Sequence, residues 1–576
     1  MSTSHLCDFI TYINFIDYIG GGSSSIYPLI TDNDFQKKIG KIFSKYEVKK
    51  QLSFKEICWP EKFTYQPSQL FVADYINPNT QYKSILLYHK IGAGKTCAAI
   101  NIAEQWKYKR NIIFVCPASL TGNFYKELRS KCAGNEYITM AERKELEKSI
   151  PGSDTYNSII KQVHKRIDKY YKIMSYNRFV DLSERKKIDL TNSLLIIDEV
   201  QNIVSEKGIY YQTFLREINK APTNLRLVIM SATPMFDKPV ELALTINLLR
   251  PIEKMPINPL FNQTFLKEKK TKDFTTYNIK NINKLKKLLS GYVSYYPGAP
   301  EYAFPSKSLR YIKCVMSSYQ YSVYKIISAG EGSIRDSDIL QLPNDFFIGS
   351  RTVSNIAFPN RFIGEKGFDA FKGYALKEDL IKYSCKFYKI LSSIKKTNQL
   401  HFVYSNFRQY GGIASFIKVL DANGFKNLKT HGPGKNRYAI WSGEENIEYK
   451  EYTREIFNTK ENINGSLVKV ILGSPAIKEG VSLLRVRKVH ILEPYWNMSR
   501  IEQIIGRAVR FCSHKDMHKD EREVKIYIYI AVDPYNKINT IDKHIMNMAF
   551  SKNKLINQFE QVLQDSAIDK YLFQNI

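Results

Sequence analysis

Leu86–Thr96 reads LLYHKIGAGKT, and Leu194–Asn202 reads LLIIDEVQN. Each is an apolar run that breaks into a loop of glycine or polar residues. In the first, Gly92-Ala93-Gly94-Lys95-Thr96 follows the strand-like Ile85–Tyr88 and precedes a helical run through Trp106. Glycine lets backbone N–H groups approach phosphate oxygens, and a helix N-terminus adds positive potential. The loop therefore reads as a phosphate cradle, with Lys95 bridging the β- and γ-phosphates of ATP and Thr96 ligating Mg²⁺. His89 stands where such loops usually begin with glycine. In the second segment Asp198 and Glu199 end a buried strand, at the edge where parallel sheets bind ligands. Asp198 is expected to hold Mg²⁺, largely through water, and Glu199 to polarise the attacking water. Lys95 and Asp198 lie 103 residues apart, a separation natural within one α/β domain. The two segments together imply hydrolysis of a nucleoside triphosphate.

Strand and helix patterns alternate outward from this pair. Ile85–Tyr88, Ile112–Val115, Leu194–Ile197 and Leu227–Met230 are short runs rich in Ile, Leu and Val, as strands buried on both faces should be. Alternation of this kind implies a parallel sheet with right-handed crossovers. The rhythm breaks over 251–370, where Pro, Asn, Lys and Tyr dominate and the helix-like Ile279–Leu289 carries four lysines. It resumes with His401–Tyr404, Val468–Leu472, Val489–Leu492 and Lys525–Ile530. The expected division is an N-terminal extension over 1–59, an ATP-binding domain over 60–250, a linker or inserted subdomain over 251–370, a second α/β domain over 371–535 and a helical tail over 536–576. Within the extension, 1–19 reads as a short ordered element and Gly20–Ser25 as a flexible joint.

The chain has 576 residues, 44% of them hydrophobic, enough for several ordinary cores. Lys plus Arg number 85 against 56 Asp plus Glu, a net charge of +29. Such an excess suits a polyanion, and nucleic acid is the obvious one. Eight scattered cysteines without CxxC spacing suggest neither a zinc knuckle nor a disulfide framework, which fits a reducing compartment. Phe9–Ile19 is apolar but too short to span a bilayer and contains Asp17, so no membrane partner is expected.

Two further segments bear on the chemistry. Ser231-Ala232-Thr233-Pro234 follows the strand Leu227–Met230, where its hydroxyls can bond both the acidic loop and a neighbouring domain. Gln503–Arg510 (QIIGRAVR) spaces Arg507 and Arg510 three apart, on one face if the segment is helical. Two guanidinium groups so placed can neutralise charge on a transferring γ-phosphoryl group.

The ordered set GAGKT, DEVQN, SATP, GSPAIKEGVSL and QIIGRAVR, spanning about residues 60–515, resembles a superfamily 2 helicase or translocase. Val489–Arg510 is similar to the viral branch that includes the poxvirus nucleoside triphosphate phosphohydrolase and the early transcription factor small subunit. The resemblance implies two tandem RecA-like parallel-sheet domains of the P-loop NTPase type. It implies that Gln69, with Gln66 as its rival, reads adenine, and that Gly480 belongs to the nucleotide site. It places Pro117, Ser119, Ser175, Asn202, Ser231, Thr233, Ser405, Ser474, Ser482 and Gln503 along the nucleic-acid path or its coupling to the nucleotide. A DNA-dependent ATPase of viral transcription is the function expected, with a viral RNA polymerase or transcription factor subunit as partner, and location in a cytoplasmic viral factory or the virion. An RNA helicase, and a basic virion protein with a vestigial ATPase, are the alternatives. Residues 251–370 and 536–576, outside the motor core, are expected to be partner surfaces.

Overall fold

The computed structural model describes residues 27–48, 52–90, 92–149, 153–271, 273–332, 337–343, 345–478 and 481–573. Residues 1–26, with the Gly/Ser joint, and Glu479-Gly480 lie outside them.

Two parallel sheets organise the chain. In the first lobe the strands are β1 (Ser84–His89), β2 (Asn111–Cys116), β3 (Tyr171–Ser175), β4 (Ser193–Ile197) and β5 (Arg226–Ser231). A small sheet follows, built from β6 (Leu266–Lys270), β7 (Phe274–Ile279) and, later in the chain, β10 (Ser337–Asp338). Between these come β8 (Val293–Tyr296) and β9 (Ser306–Val315). The second lobe adds β11 (His401–Tyr404), β12 (Lys426–Asn427), β13 (Arg437–Trp441), β14 (Val470–Gly473), β15 (Lys488–Ile491) and β16 (Glu523–Val532). The strand orders are β3-β2-β4-β5-β1-β8 and β12-β13-β14-β11-β15-β16-β9. Every pairing in both large sheets is parallel. All eight strands read from the sequence are present.

The stretch 251–370 supplies strands to both lobes. β8 pairs with β1, and β9 pairs with β16 over ten residues. Both are edge strands, so neither carries the continuous apolar run that marks a central parallel strand. β9 reads SKSLRYIKCV and is largely exposed, which hides it from a hydrophobic pattern.

The C-terminal segment, expected as a helical tail, is built into the body of the molecule. Helix Ile541–Asp565 runs for 25 residues, about 37 Å at 1.5 Å per residue. Ile541, Ile545, Met548, Leu555, Phe559 and Val562 form its buried stripe, at alternating spacings of four and three interrupted only by Lys552. The stripe lies in one apolar core that includes Leu86 and Ile197 of the first lobe and Val403 and Leu472 of the second.

Among the described residues two cysteine pairs are bonded, Cys58–Cys512 and Cys97–Cys132, contrary to the expectation of no disulfide framework. Their separations of 454 and 35 residues have no short-range signature, and only tertiary folding brings the thiols together. Among the described residues no helix is long and apolar enough to cross a membrane.

Candidate active site between the lobes

The phosphate loop turns where glycine permits it. Gly92 and Gly94 have φ of 85° and 67°, in the left-handed region. A Cβ on Gly94 would meet Gln69 Nε2 at 2.4 Å. Helix α1 (Lys95–Trp106) starts directly after Gly94 and aims its free N–H groups back at the loop. Lys95 Nζ donates to the His89 carbonyl at 3.0 Å. Desolvation draws the Lys95 pKa below the usual lysine value, against the opposing pull of Glu199 and Asp198.

His89 is accommodated through a tertiary contact. Its Nε2 lies 2.8 Å from Ser294 Oγ on β8, and that hydroxyl donates to Asp569. Complete burial lowers the His89 pKa to about 3, so the ring is neutral near pH 7.

The acidic pair leaves the C-terminal edge of β4. Asp198 N donates to the Val115 carbonyl at 2.9 Å, and Tyr176 Oη donates to the backbone carbonyls of Asp198 and Glu199. Burial first, then the adjacent Glu199 charge, raises the Asp198 pKa. Glu199 sits in the left-handed region at φ 52°. Gln201 Nε2 donates to Glu199 Oε2, Ser231 Oγ donates to Gln201 Oε1 at 2.7 Å, and Thr233 N donates to Ser231 Oγ at 2.9 Å. The hydroxyl after β5 thus reaches the acidic loop through Gln201, a residue the sequence reading passed over in favour of Asn202. Gln201→Ala should slow single-turnover hydrolysis by about 10- to 100-fold with little change in ATP affinity. Hydrolysis at the wild-type rate would show that this link positions nothing.

The second lobe closes the site. Helix α2 (Met498–Ile505) ends before Arg507, so Arg507 and Arg510 lie in the turns that follow rather than on one helix face. The Arg507 carbonyl accepts from Leu483 N at 2.9 Å, which fastens this turn to the preceding loop. Arg510 donates to the Val481 carbonyl at 3.2 Å, while its Nε is buried without a partner. Burial lowers the Arg510 pKa, and Glu199 of the first lobe opposes that shift. Arg510 in turn acts on Lys95 across the same gap.

A cleft of about 640 Å³ lies between these walls. Thr96, Asp198 and Glu199 line it from one lobe, and Arg507 and Arg510 from the other. Pro117, Asn202, Ser482 and Gln503, expected on the nucleic-acid path, line it as well. So do Arg454 and Asn458, which no motif pointed to. Asn458 bonds the Ser482 carbonyl and the Leu484 N–H, holding the loop that leads to the arginines.

The other expected residues have varied settings. Ser119 is exposed on a short turn, and Ser175 caps the next helix by accepting from Arg178 N at 3.2 Å. Ser231, Ser405 and Ser474 are buried, and Ser405 gives its hydroxyl to Glu493. Gln69 is buried, with its amide donating to the Gly94 carbonyl at 3.1 Å and accepting from Gln66 N at 2.8 Å. The side-chain oxygen of Gln66 has no partner.

Additional cross-braces join the lobes. Lys552 bonds Asp237 at 2.6 Å, and Asn497 donates to the Phe236 carbonyl at 2.6 Å, so the loop after SATP is gripped by the C-terminal helix and the second lobe. Lys90, just before the phosphate loop, pairs with Glu560 at 3.1 Å.

Comparison with known proteins identifies the family. Residues 45–358 match the SNF2-related domain, and 385–512 match the helicase conserved C-terminal domain. A putative ATP-dependent RNA helicase of Acanthamoeba polyphaga mimivirus is 50% identical over 554 residues, covering 95% of this chain and 96% of that protein. The termination factor NPH-I homolog of African swine fever virus is 24% identical over 561 residues, covering 84% and 76%. The solved Pyrococcus furiosus Hef helicase domain is similar with a TM-score of 0.40 at 12% identity, over 80% of this chain and 94% of that one. The chain belongs to the SNF2-related helicases of superfamily 2, and its two RecA-like lobes enclose the site of a nucleic-acid-dependent ATP hydrolase.

Proposed function

We propose that this chain is an ATP-driven motor that moves along duplex DNA in the transcription of a large DNA virus. The observation that carries the ATP-driven part is Arg510, held by the second lobe and facing Lys95 and Glu199 of the first. Thr96 and Asp198 offer two hard oxygen donors on the cleft wall, a set that suits Mg²⁺, which keeps several waters and takes its remaining ligands from phosphate. When bound, the ion would neutralise charge on the β- and γ-phosphates. Lys95 and the loop amides would hold those phosphates, and Glu199 would orient the attacking water. Gln69, whose amide keeps a second N–H and a second lone pair beyond its two bonds, is the proposed adenine reader, with Gln66, whose side-chain oxygen lacks a partner, as its rival.

Loss of the γ-phosphate removes the contacts that hold Arg507 and Arg510 against the first lobe, and the cleft can reopen. Alternating grip by the two lobes would convert this cycle into movement along a sugar-phosphate track. Nucleic acid that favours the closed pairing of lobes stimulates hydrolysis by the same linkage. The net charge of +29 and the SNF2-related match support a nucleic-acid track, and duplex DNA is the one proposed. A second reading, RNA as the track, is favoured by the printed name of the mimivirus relative.

Steady-state ATPase assays with duplex DNA, single-stranded DNA and RNA at one salt concentration test the proposal. Duplex DNA is expected to stimulate most, by about tenfold or more. Stimulation by RNA alone would replace the DNA reading, and hydrolysis indifferent to every nucleic acid would remove the motor reading.

A further inference from the structure

We propose that Cys58 and Cys512 form a thiol-modification site that, once oxidised, leashes the two lobes together and throttles ATP turnover. Cys512 lies two residues beyond Arg510, and its N–H donates to the Ala303 carbonyl at 2.8 Å. Cys58 ends the short helix Phe54–Cys58, whose start is secured by a capping box of Ser53 and Glu56. Their Cα atoms are 5.5 Å apart and the sulfurs are bonded.

The helix that carries Cys58 is docked on the second lobe. Lys515 Nζ donates to the Cys58 carbonyl at 3.1 Å and lies 5.5 Å from the Trp59 ring. Arg522 stacks 4.0 Å from the Phe54 ring. Seven residues later the chain is fastened to the first lobe instead, where Tyr65 Oη donates to the Cys132 carbonyl. Helix Pro67–Tyr75 follows, carrying the Gln69 that grips Gly94 of the phosphate loop. The strand of chain from Cys58 to Tyr65 is therefore a tether between lobes, with a reach of about 25 Å fully extended.

Beside the sulfur bond, the tether's contacts with the second lobe include one ammonium–carbonyl bond, ring contacts and the Tyr302 hydroxyl on the Leu52 carbonyl. These contacts can be shed when the cleft opens. With the bond, the turn that carries Arg510 cannot move away from the first lobe beyond the tether's reach. Product release needs that opening, so the oxidised protein should bind ATP and turn over slowly.

The chemistry requires a small-molecule disulfide as oxidant. The Lys515 ammonium on the Cys58 carbonyl places a cation beside the bonded pair, which favours a thiolate there, and the half-buried Cys512 is taken as the first nucleophile. Its thiolate attacks one sulfur of the oxidant and expels one small thiolate, leaving a mixed disulfide. The Cys58 thiolate then displaces the second small thiolate. Two protein thiols are oxidised, one external disulfide is reduced to two thiols, and the protons pass to those leaving groups. An intracellular glutathione pool makes the step reversible, as cytosolic disulfides usually are.

Cys97–Cys132 is the internal control, since Cys97 directly follows Thr96 but both partners belong to the first lobe. The test treats the full-length protein with oxidised glutathione or with dithiothreitol, maps bonded peptides by mass spectrometry without reduction, and measures nucleic-acid-stimulated ATPase and nucleotide affinity. The expected result is a 58–512 peptide, a fall in kcat of about tenfold with little change in ATP affinity, and recovery on reduction. Cys58→Ser and Cys512→Ser should match the reduced wild type and resist the oxidant, while Cys97→Ser should remain sensitive. Absence of the 58–512 peptide, its formation without loss of turnover, or equal inhibition of Cys58→Ser would overturn the proposal. The role of Arg510 is assessed separately, in reduced protein, so the two ideas fail independently.

Discussion

Arg510→Ala is expected to lower nucleic-acid-stimulated kcat by about 10³-fold, the scale of losing an arginine that stabilises a transferring phosphoryl group. ATP affinity should change far less, because Lys95 and the phosphate loop remain. The geometry gives the reason. Arg510 is tied to the Val481 carbonyl, its Nε is buried without a partner, and it faces the Glu199 and Lys95 side of the cleft. A buried guanidinium with an unused donor is costly unless a ligand completes it. The γ-phosphoryl oxygens are the ligand that this cleft can supply. Arg510→Lys should recover only part of the loss, since an ammonium keeps the charge but not the planar fork. Steady-state and single-turnover ATPase on reduced protein, with a fluorescent nucleotide for affinity, provide the measurements. Full stimulated turnover in Arg510→Ala would remove this residue from the reaction.

Lys386→Met should cost about 3–5 kcal/mol, the penalty of leaving a buried charge without its partner. Lys386 and Asp542 are both essentially inaccessible to solvent and are joined at 2.6 Å. Lys386 Nζ also donates to Asn355 Oδ1 at 2.9 Å, and Asn355 Nδ2 donates to Glu493 Oε2 at 3.1 Å. Glu493 accepts in turn from Ser405 and from the Asn406 N–H. This polar chain fixes the loop after β11 to the start of the C-terminal helix. Burial raises the Glu493 pKa, and the Lys386 charge is the strongest influence opposing that rise. Removing the ammonium strands Asp542 and loosens the loop together. An apparent Tm lower by about 10 °C is expected for a lobe of this size. Lys386→Met combined with Asp542→Leu should recover much of the loss, because no lone charge then remains. A single substitution within 1 °C of wild type would show that the pair contributes no net stability.

The two halves of the site differ in how far they could be read ahead of the fold. GAGKT and DEVQN announce their own geometry, because each joins a buried parallel strand to a loop whose residue types admit few other uses. Arg507 and Arg510 were recognisable as a pair, but their helical placement was not correct. The helix ends at Ile505, and the Arg507 carbonyl is taken by Leu483 from another loop, a partner that no local spacing reveals. Gln69 is similar. Its residue type suits adenine, and its amide also bonds the Gly94 carbonyl and the Gln66 N–H, 25 and three residues away, the first a contact that no local spacing reveals.

What the amino-acid order determined unaided is the local chemistry: apolar runs that become central parallel strands, glycines at left-handed turns, and hydroxyl, carboxylate and ammonium groups at strand ends. The tertiary structure alone decided which long-range partners meet. It placed β9 at the edge of the second sheet, ran the C-terminal helix through the core shared by both lobes, absorbed His89 against Ser294 and Asp569, and joined Cys58 to Cys512. The physical reason is range. Backbone preferences and hydrophobic period act over a few residues, whereas each of these contacts joins positions more than two hundred residues apart or in different elements, and depends on shape and burial that exist only once the lobes have packed.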